Sequence, residues 1–535
     1  MKQLIRLLLT IFSLGYCLCL FSTTNKIINN NSGFDIKLYS GLHPNISINN
    51  IENVIDGRFV IDSTSNHIMD QLPSFHRVSL TSHPSSESNI GIEVWIPIDN
   101  WNGRFLGTGN GGGAGSIDYW ALGAGLRRGF AVANTDMGTA PGAHLIYDYP
   151  ERWKDFGYRS THEMTLIAKK IIKQYTGKDP LFSYFIGCST GGQQALSEAQ
   201  RYPDDYDGIV AGAPANNRTH LHTMFLYCHS LCNQDGNLMF SQEQLNKIDE
   251  IVLKYNVGKD GGAPTDNFLT DPRIASIDIN LFRSFLSEKQ IEILSKIYNG
   301  PVNPRTGETI YCSFPLNSEN KSLGQGYFQH ESAVNGLLYP FIWAFGKDFD
   351  YQSFDFDRDM LKVDSILAPI LNANNPDLKP LKNRNGKIIM YTGTCDPIVP
   401  FQDAVNYYER VVNEIGNLTE TQDFFRYFII PGMTHCGGGP GVNEFGQFLA
   451  QSECMDCNQD ILTLLIDWVE NNKAPEQIIV TKYKENSKQE IEMQRPVYPY
   501  PDFPVYKGGN PKYPQSFKRG THKRGCVPTP AKRYL

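Results

Sequence analysis

The sequence predicts an α/β fold: a largely parallel sheet with crossover helices, broken by one large insertion. Three features lead to it. Strand-like and helix-like segments alternate through the first half of the chain, as parallel strands joined by helices require. From about 215 to 385 the strands vanish, and they resume afterwards. A glycine-flanked motif, "GCSTG" (187–191), stands between a predicted strand and a predicted helix.

The elements follow in order. Lys2 and Arg6 precede an apolar stretch, "LLLTIFSLGYCLCLF" (7–21), and polar "STTNK" follows. That run is short for a spanning helix and no second one occurs, so residues 1–22 read as a cleaved signal peptide rather than a membrane anchor. The mature chain is then expected to be secreted and extracellular, with no membrane attachment. "IGIEVWIPI" (90–98), "RFLGTG" (104–109) and "GFAVANTD" (129–136) read as strands bounded by glycine or aspartate turns. "THEMTLIAKKIIKQYTG" (161–177) reads as a helix. Met164, Ile167, Ala168, Ile171 and Tyr175 share one face, Ser160 with Glu163 makes a capping box, and Gly177 stops it. "FSYFI" (182–186) is a strand, "GGQQALSEAQRY" (191–202) a helix, and "DGIVAGAP" (207–214) a strand.

The insertion carries two helical runs, "QEQLNKIDEIVLKY" (242–255) and "EKQIEILSKIYNG" (288–300). "KIIMYTG" (387–393) and "FFRYFIIPG" (424–432) restore the strand pattern. One interrupted α/β domain explains this better than two tandem domains. The last residues, 511–535, are rich in Pro, Lys and Arg without apolar periodicity and read as an extended or disordered tail. Composition is ordinary for a globular chain: 535 residues, 41% hydrophobic and 20% charged. A net charge of −7, with no basic block before the tail, argues against nucleic acid as a partner.

"GCSTG" satisfies G-x-S-x-G at the sharp strand-to-helix turn where that motif works. Small flanking residues are needed there because a Cβ would clash. The turn exposes the Ser189 hydroxyl and aims the Thr190 backbone N–H at the reacting carbonyl oxygen. A serine nucleophile needs an orienting acid and a base, in the chain order Ser, Asp or Glu, His. Asp396 follows the strand at 387–393 and His435 follows the strand at 424–430. All three stand at strand C-terminal ends, where open α/β sheets build sites. A plain turn residue before Pro397 and a loop histidine among twelve are the bland readings, and the chain order weighs against both.

Of eleven cysteines, Cys17 and Cys19 would leave with the signal, and in an oxidising compartment most of the other nine should pair. Cys188 adjoins Ser189 and Cys436 adjoins His435. A Ser189–His435 contact would bring these two cysteines together, so a disulfide is expected to hold base against nucleophile. A Cys188 thiolate nucleophile is the competing reading; it is weaker because the second position of the turn points away from the third. Cys454-x-x-Cys457 reads as a structural disulfide, with no second pair to complete a zinc site. Asn30, Asn45, Asn217, Asn320 and Asn417 stand in N-x-S/T sequons and predict a glycoprotein.

"YFIGCSTGGQQALSEAQRYPDDYDGIVAGAPA" (184–215) strongly resembles the tannase and feruloyl esterase family. The resemblance continues in "WNGRFLGTGNGGGAGSI" (101–117), "GFAVANTDMG" (129–138), "HCGGGPG" (435–441) and "QRPVYPYPDFPVYKGG" (494–509). It implies an α/β-hydrolase fold with a large lid domain inserted between nucleophile and acid, and paired CS and HC motifs whose disulfide lies beside a Ser-Asp-His triad. The catalytic domain would comprise 23–214 and 386–510, and the lid 215–385. Such enzymes hydrolyse galloyl, feruloyl and chlorogenic esters and, in one branch, terephthalic monoesters.

The glycine run "GNGGGAG" (109–115) follows an early strand, where hydrolases keep the second oxyanion donor. The amides of Gly112 and Gly113 are expected to act with that of Thr190, each donor worth about 3 kcal/mol. A phosphate loop would need a following Lys-Ser/Thr, which is absent; a plain flexible loop is the bland alternative. The resemblance also implies a lid calcium, in "NVGKDGGAPTDNFLTDP" (256–272), through Asp260, Asp266 and the Phe268 carbonyl. The first aspartate of that motif is missing, two residues are inserted before Asp266 and the flanking cysteines are absent. A working calcium site and a degraded, metal-free loop both stay open. No organic cofactor is implied.

The expected function is therefore a secreted serine carboxylic ester hydrolase acting on esters of aromatic, feruloyl-like hydroxycinnamic acids. The substrate would be a small aromatic ester or an ester on plant cell-wall polysaccharide. A galloyl or chlorogenate esterase, a peptidase or lipase on the same triad, and a catalytically silent binding protein on the same fold are the alternatives.

Overall fold

Nine strands form one mixed sheet: β1 (Ile46–Val54), β2 (Phe75–Ser82), β3 (Ile90–Pro97), β4 (Arg104–Thr108), β5 (Ala131–Thr135), β6 (Phe182–Cys188), β7 (Gly208–Gly212), β8 (Lys387–Gly393) and β9 (Phe425–Ile430). Their spatial order is β1-β2-β3-β5-β4-β6-β7-β8-β9. The first three run antiparallel to their neighbours, and from β5 onward every pairing is parallel. The computed structural model describes residues 39, 41, 45–62, 67–234, 236–321, 326–330, 336–448, 459–485, 487–526 and 528–535. The expected signal segment, Asn30, Cys454 and Cys457 lie outside the described residues.

The parallel strands are buried along their length, β5, β7 and β9 at every residue. They sit under helices on both faces, which is why they read as continuous apolar runs. On one face pack α2 (Ser160–Thr176), α3 (Thr190–Arg201) and α8 (Phe401–Ile415), through Met164, Ile171, Leu196, Val405 and Tyr408. On the other pack α1 (Tyr119–Arg127) and α9 (Ile461–Asn471), through Leu122, Leu126, Leu465 and Trp468. The antiparallel edge was not expected from the sequence. β1 is half-exposed and asparagine-rich, and β2 alternates buried and half-buried residues as a half-covered strand does.

β7 and β8 are hydrogen-bonded neighbours, from Lys387 opposite Gly208 to Tyr391 opposite Gly212. The chain therefore leaves the sheet after one strand and re-enters beside it, with about 170 residues between. The segment between is helical: α4 (Arg218–Cys232), α5 (Gln242–Asn256), α6 (Glu288–Asn299) and α7 (Arg358–Leu371). Ser241 with Gln244 and Ser287 with Gln290 form complete capping boxes on α5 and α6. Met224, Leu245, Ile248 and Leu294 make a core of their own there. Residues 36–535 nonetheless form one compact unit. Among the described residues no helix is long and apolar enough to cross a membrane.

Four expectations are corrected. Ser160 does not cap a helix. The helical run starts at Pro150, passes through a π turn over Asp155–Arg159 and continues into α2. Glu163 instead accepts from Ser82 Oγ at 2.9 Å, so a tertiary contact takes the residue that the box would have used. Gly177 does end α2, in the left-handed conformation. The C-terminal tail is neither extended nor loose. Phe517–Thr521 pairs antiparallel with Asp502–Tyr506, and Ala531 N donates to Thr309 O at 2.9 Å. Tyr534 is 1% exposed; its hydroxyl accepts from Asn303 Nδ2 at 3.0 Å and its carbonyl from Asn217 Nδ2 at 3.2 Å. A single aromatic anchor leaves no periodic trace in a sequence.

The same contact corrects the Asn217 sequon: the side chain is 1% exposed and bonded, so the folded chain offers no acceptor there. Asn45 and Asn417 remain exposed. The cysteines also depart from expectation. Cys228, Cys232, Cys312, Cys395 and Cys526 are buried thiols. They behave as small apolar side chains, and burial pushes the Cys395 and Cys526 thiols up to about 12. Tyr534→Ala is expected to cost about 3 kcal/mol, the range for truncating a buried aromatic. The denaturant midpoint should fall at unchanged slope; an unmoved midpoint would return the tail to the surface.

Candidate active site

β6 ends at Cys188 and α3 begins at Thr190, so Ser189 alone makes the turn. Its backbone sits at φ 65° and ψ −117°, a conformation L-residues avoid and a nucleophile turn demands. Hydrogen bonds pin it on both sides: Ser189 N donates to Gly212 O at 2.9 Å, and Ser189 O accepts from Gln193 N at 3.0 Å and Ala215 N at 3.2 Å. The flanking glycines are there for space. A Cβ on Gly187 would lie 2.5 Å from Gly191 O, and one on Gly109 would lie 2.6 Å from Gly191 Cα.

The loops after β8 and β9 are tied to each other by backbone. Cys395 N donates to Met433 O at 3.0 Å, and Gly432 N donates to Thr394 Oγ1 at 2.8 Å. This brings His435 and Asp396 together: His435 Nδ1 donates to Asp396 Oδ2 at 2.8 Å. Asp396 is 0% exposed, and its Oδ1 accepts from Ile398 N at 2.8 Å and Val399 N at 2.9 Å. Three donors thus converge on one buried carboxylate and fix it in place to orient the imidazole. Cys188 and Cys436 are bonded, with Cα atoms 5.9 Å apart and 248 residues of chain between them. The disulfide links the residue before Ser189 to the residue after His435.

The glycine run packs against this turn. Gly191 N donates to Asn110 O at 2.7 Å, and Asn110 N donates to Gln194 Oε1 at 2.8 Å. Thr190 Oγ1 donates to Gly112 O at 2.6 Å. The Asn110 amide is thus occupied, whereas those of Gly112 and Gly113 bond to no protein acceptor among the described residues. Thr190 is the first residue of α3, so its amide has no partner in the helix and sits at the positive end of the dipole. Sequence reading missed Gln194, and it missed Arg218, whose guanidinium bonds Thr190 Oγ1 at 2.9 Å. Neither residue stands in a motif that would have marked it.

The lid loop is built around two buried carboxylates. Asp260 accepts from Gly262 N at 3.1 Å, Asp271 N at 3.2 Å and Thr270 N. Asp266 accepts from Ala263 N at 2.9 Å and from Arg495 Nη2 at 2.7 Å, in an ion pair whose side chains are 3% and 4% exposed. Arg495 also lies over the Phe268 and Phe517 rings. Asn256 Oδ1, where the missing first ligand would stand, accepts from Ser276 N at 3.0 Å instead. Calcium takes six to eight oxygens. Here every carboxylate oxygen already has an N–H donor and a guanidinium supplies the positive charge, so these residues do not fit that ion.

Among the described residues, His162, Glu198 and Asp205 are grouped closely enough to hold a metal, their ligand atoms within 4.8 Å. His162 Nδ1 and Asp205 Oδ2 are already bonded at 2.6 Å. Burial, then the neighbouring Asp205, pushes the Glu198 carboxyl well above the usual carboxylate range, and both of its oxygens are buried without a hydrogen-bond partner among the described residues.

The sheet order, the strained turn after β6 and the helical insertion between β7 and β8 define an α/β hydrolase. Residues 76–520 match the family model for tannase and feruloyl esterase. The chain is 34% identical to an uncharacterized esterase of Xanthomonas campestris pv. campestris, over 92% of this chain and 91% of that protein. It is 30% identical to a probable feruloyl esterase B of Aspergillus clavatus, over 87% of this chain and 91% of that one. An esterase structure from Aspergillus oryzae superposes with a TM-score of 0.83 at 27% identity, covering 90% of this chain and 99% of that one. The chain belongs to the tannase and feruloyl esterase family and is a carboxylic ester hydrolase. Replacing both Cys188 and Cys436 by serine is expected to lower ester turnover and to cost about 2–4 kcal/mol of stability. Wild-type turnover in the double variant would show that the bond holds nothing the reaction needs.

Proposed function

We propose that this esterase is secreted and cleaves esters of aromatic, feruloyl-like hydroxycinnamic acids through Ser189, His435 and Asp396. Ser189 Oγ attacks the ester carbonyl while His435 takes its proton. The tetrahedral oxyanion is held by the amides of Thr190 and of Gly112 or Gly113. His435 passes the proton to the leaving alcohol, giving an acyl-enzyme, and then draws a proton from the water that releases the acid. Asp396 holds the imidazole in the tautomer that presents Nε2. The observation that carries this reading is the Cys188–Cys436 bond between the two loops, with His435 already paired to Asp396.

Ser189→Ala should abolish turnover with folding intact, and Asp396→Asn should lower kcat roughly 10⁴-fold. Near-native rates in Ser189→Ala would sink the assignment. Hydrolysis of methyl ferulate, methyl gallate and chlorogenate side by side tests the acyl group; the relatives named as feruloyl esterases favour the first. A preference for gallate would move the enzyme to the tannin-cleaving side of the family. Secretion is supported by the sequence of residues 1–22 and by the Cys188–Cys436 disulfide.

The same reading takes the lid loop as metal-free, held by Arg495. A chelator should leave the melting temperature unchanged, whereas Arg495→Met should lower it by leaving Asp266 buried and unpaired. A rise on adding calcium would overturn this.

A further inference from the structure

Arg218 opens the first lid helix, α4, and is 2% exposed. Its Nη2 donates to Thr190 Oγ1 at 2.9 Å and its Nη1 to the Tyr339 hydroxyl at 2.5 Å. Its Cζ lies 5.1 Å from the Phe156 ring centroid, and Nε has no partner. Among the described residues its hydrogen bonds go to two hydroxyls and to no carboxylate. A buried charge without a counter-charge is costly, and proteins normally pair it. His222, one turn further along α4, does not share the positive charge: burial, then Arg218 itself, holds its imidazole down at about 3.

The missing counter-charge has a natural origin. Thr190 Oγ1 accepts from Arg218 and donates in turn to Gly112 O at 2.6 Å. One chain of hydrogen bonds therefore runs from the lid through the residue after the nucleophile to the glycine run. It reaches both segments that carry the unpartnered amides. Negative charge appears on the carbonyl oxygen beside those amides only when the carbonyl carbon becomes tetrahedral.

We infer that Arg218 is a positioning residue of the oxyanion site. It fixes Thr190 and Gly112 in register, and its unneutralised charge stabilises the transition state through them without touching substrate. This rests on Ser189 as nucleophile. It also gives the lid a role in the chemistry, since Tyr339, from a later lid segment, helps hold the guanidinium.

The test uses the full chain, a p-nitrophenyl ester, and phenylboronic acid, which adds to a serine hydroxyl as a tetrahedral anion. Arg218→Met should lower kcat roughly 10²-fold, as loss of one oxyanion contribution does, with KM within about twofold by the rule that interactions made only in the transition state leave KM alone. The inhibition constant of phenylboronic acid should rise in parallel, and Arg218→Lys should recover part of both. A wild-type kcat, or a kcat loss with boronate affinity unchanged, would overturn the inference. If Arg218→Met does not fold, Thr190→Val keeps the amide and cuts the chain; it should lower kcat about tenfold by the same reasoning, and full activity there would overturn it equally. An active Ser189→Ala overturns both readings, whereas an inactive Ser189→Ala beside a fully active Arg218→Met overturns this one alone.

Discussion

The rest of the molecule is arranged around a turn with no spare room. Ser189 stands at positive φ, and the glycines around it at 187, 191 and 192 leave little or no room for a Cβ because the backbones of the turn, the glycine run and β7 meet there. Such strain persists only where the surroundings over-determine it. Here they do so in three directions: β7 through Gly212 O, the glycine run through Asn110, and the Cys188–Cys436 bond to the histidine loop. Each of these attachments also delivers a chemical group. The sheet delivers the turn, the glycine run delivers amides, and the disulfide delivers the imidazole and, through it, Asp396. On the proposed mechanism, the scaffold that offsets the strain and the machinery that uses it are the same contacts.

The insertion fits this economy. Because β7 and β8 are parallel sheet neighbours, the lid is added without disturbing the ladder: it leaves from the C-terminal end of β7, where the site lies, and returns to the N-terminal end of β8 at the opposite edge of the sheet. Its contacts with the hydrolase part close to the site combine apolar packing, of Val399 into the lid core, with hydrogen bonds. Thr394 Oγ1 donates to Leu269 O at 2.9 Å, and Arg218 donates to Thr190. A lid anchored in this way is a wall of the site, held by hydrogen bonds that need registered partners, rather than a loosely resting cover.

What the sequence made legible follows from burial and locality. The strands from β3 to β9 were readable because each is a short apolar run between turn residues. Asp396 and His435 were readable because both follow such runs, and the structure joins them. β1 was not, since an edge strand of asparagine and glutamate has no apolar period. Ser160 and Glu163 satisfied a local rule that a contact from β2 overrode. Arg218 lies in "NNRTHLH", which reads as a polar linker, and Arg495 finds Asp266 across 229 residues; pairing at that distance leaves no mark in one sequence. The thiols were misjudged because compartment argues for pairing, whereas packing decides where a sulfur can reach.

The burial of Tyr534 has a temporal side. The penultimate residue of the chain closes onto Asn217 and Asn303, at the base and in the middle of the insertion, and its ring meets His220 edge-on. These contacts span 317 and 231 residues of sequence, and pairing over such separations is slow because the loop must close before the contact forms. The floor of the insertion is therefore expected to close late in folding, after the local helices and the sheet around them.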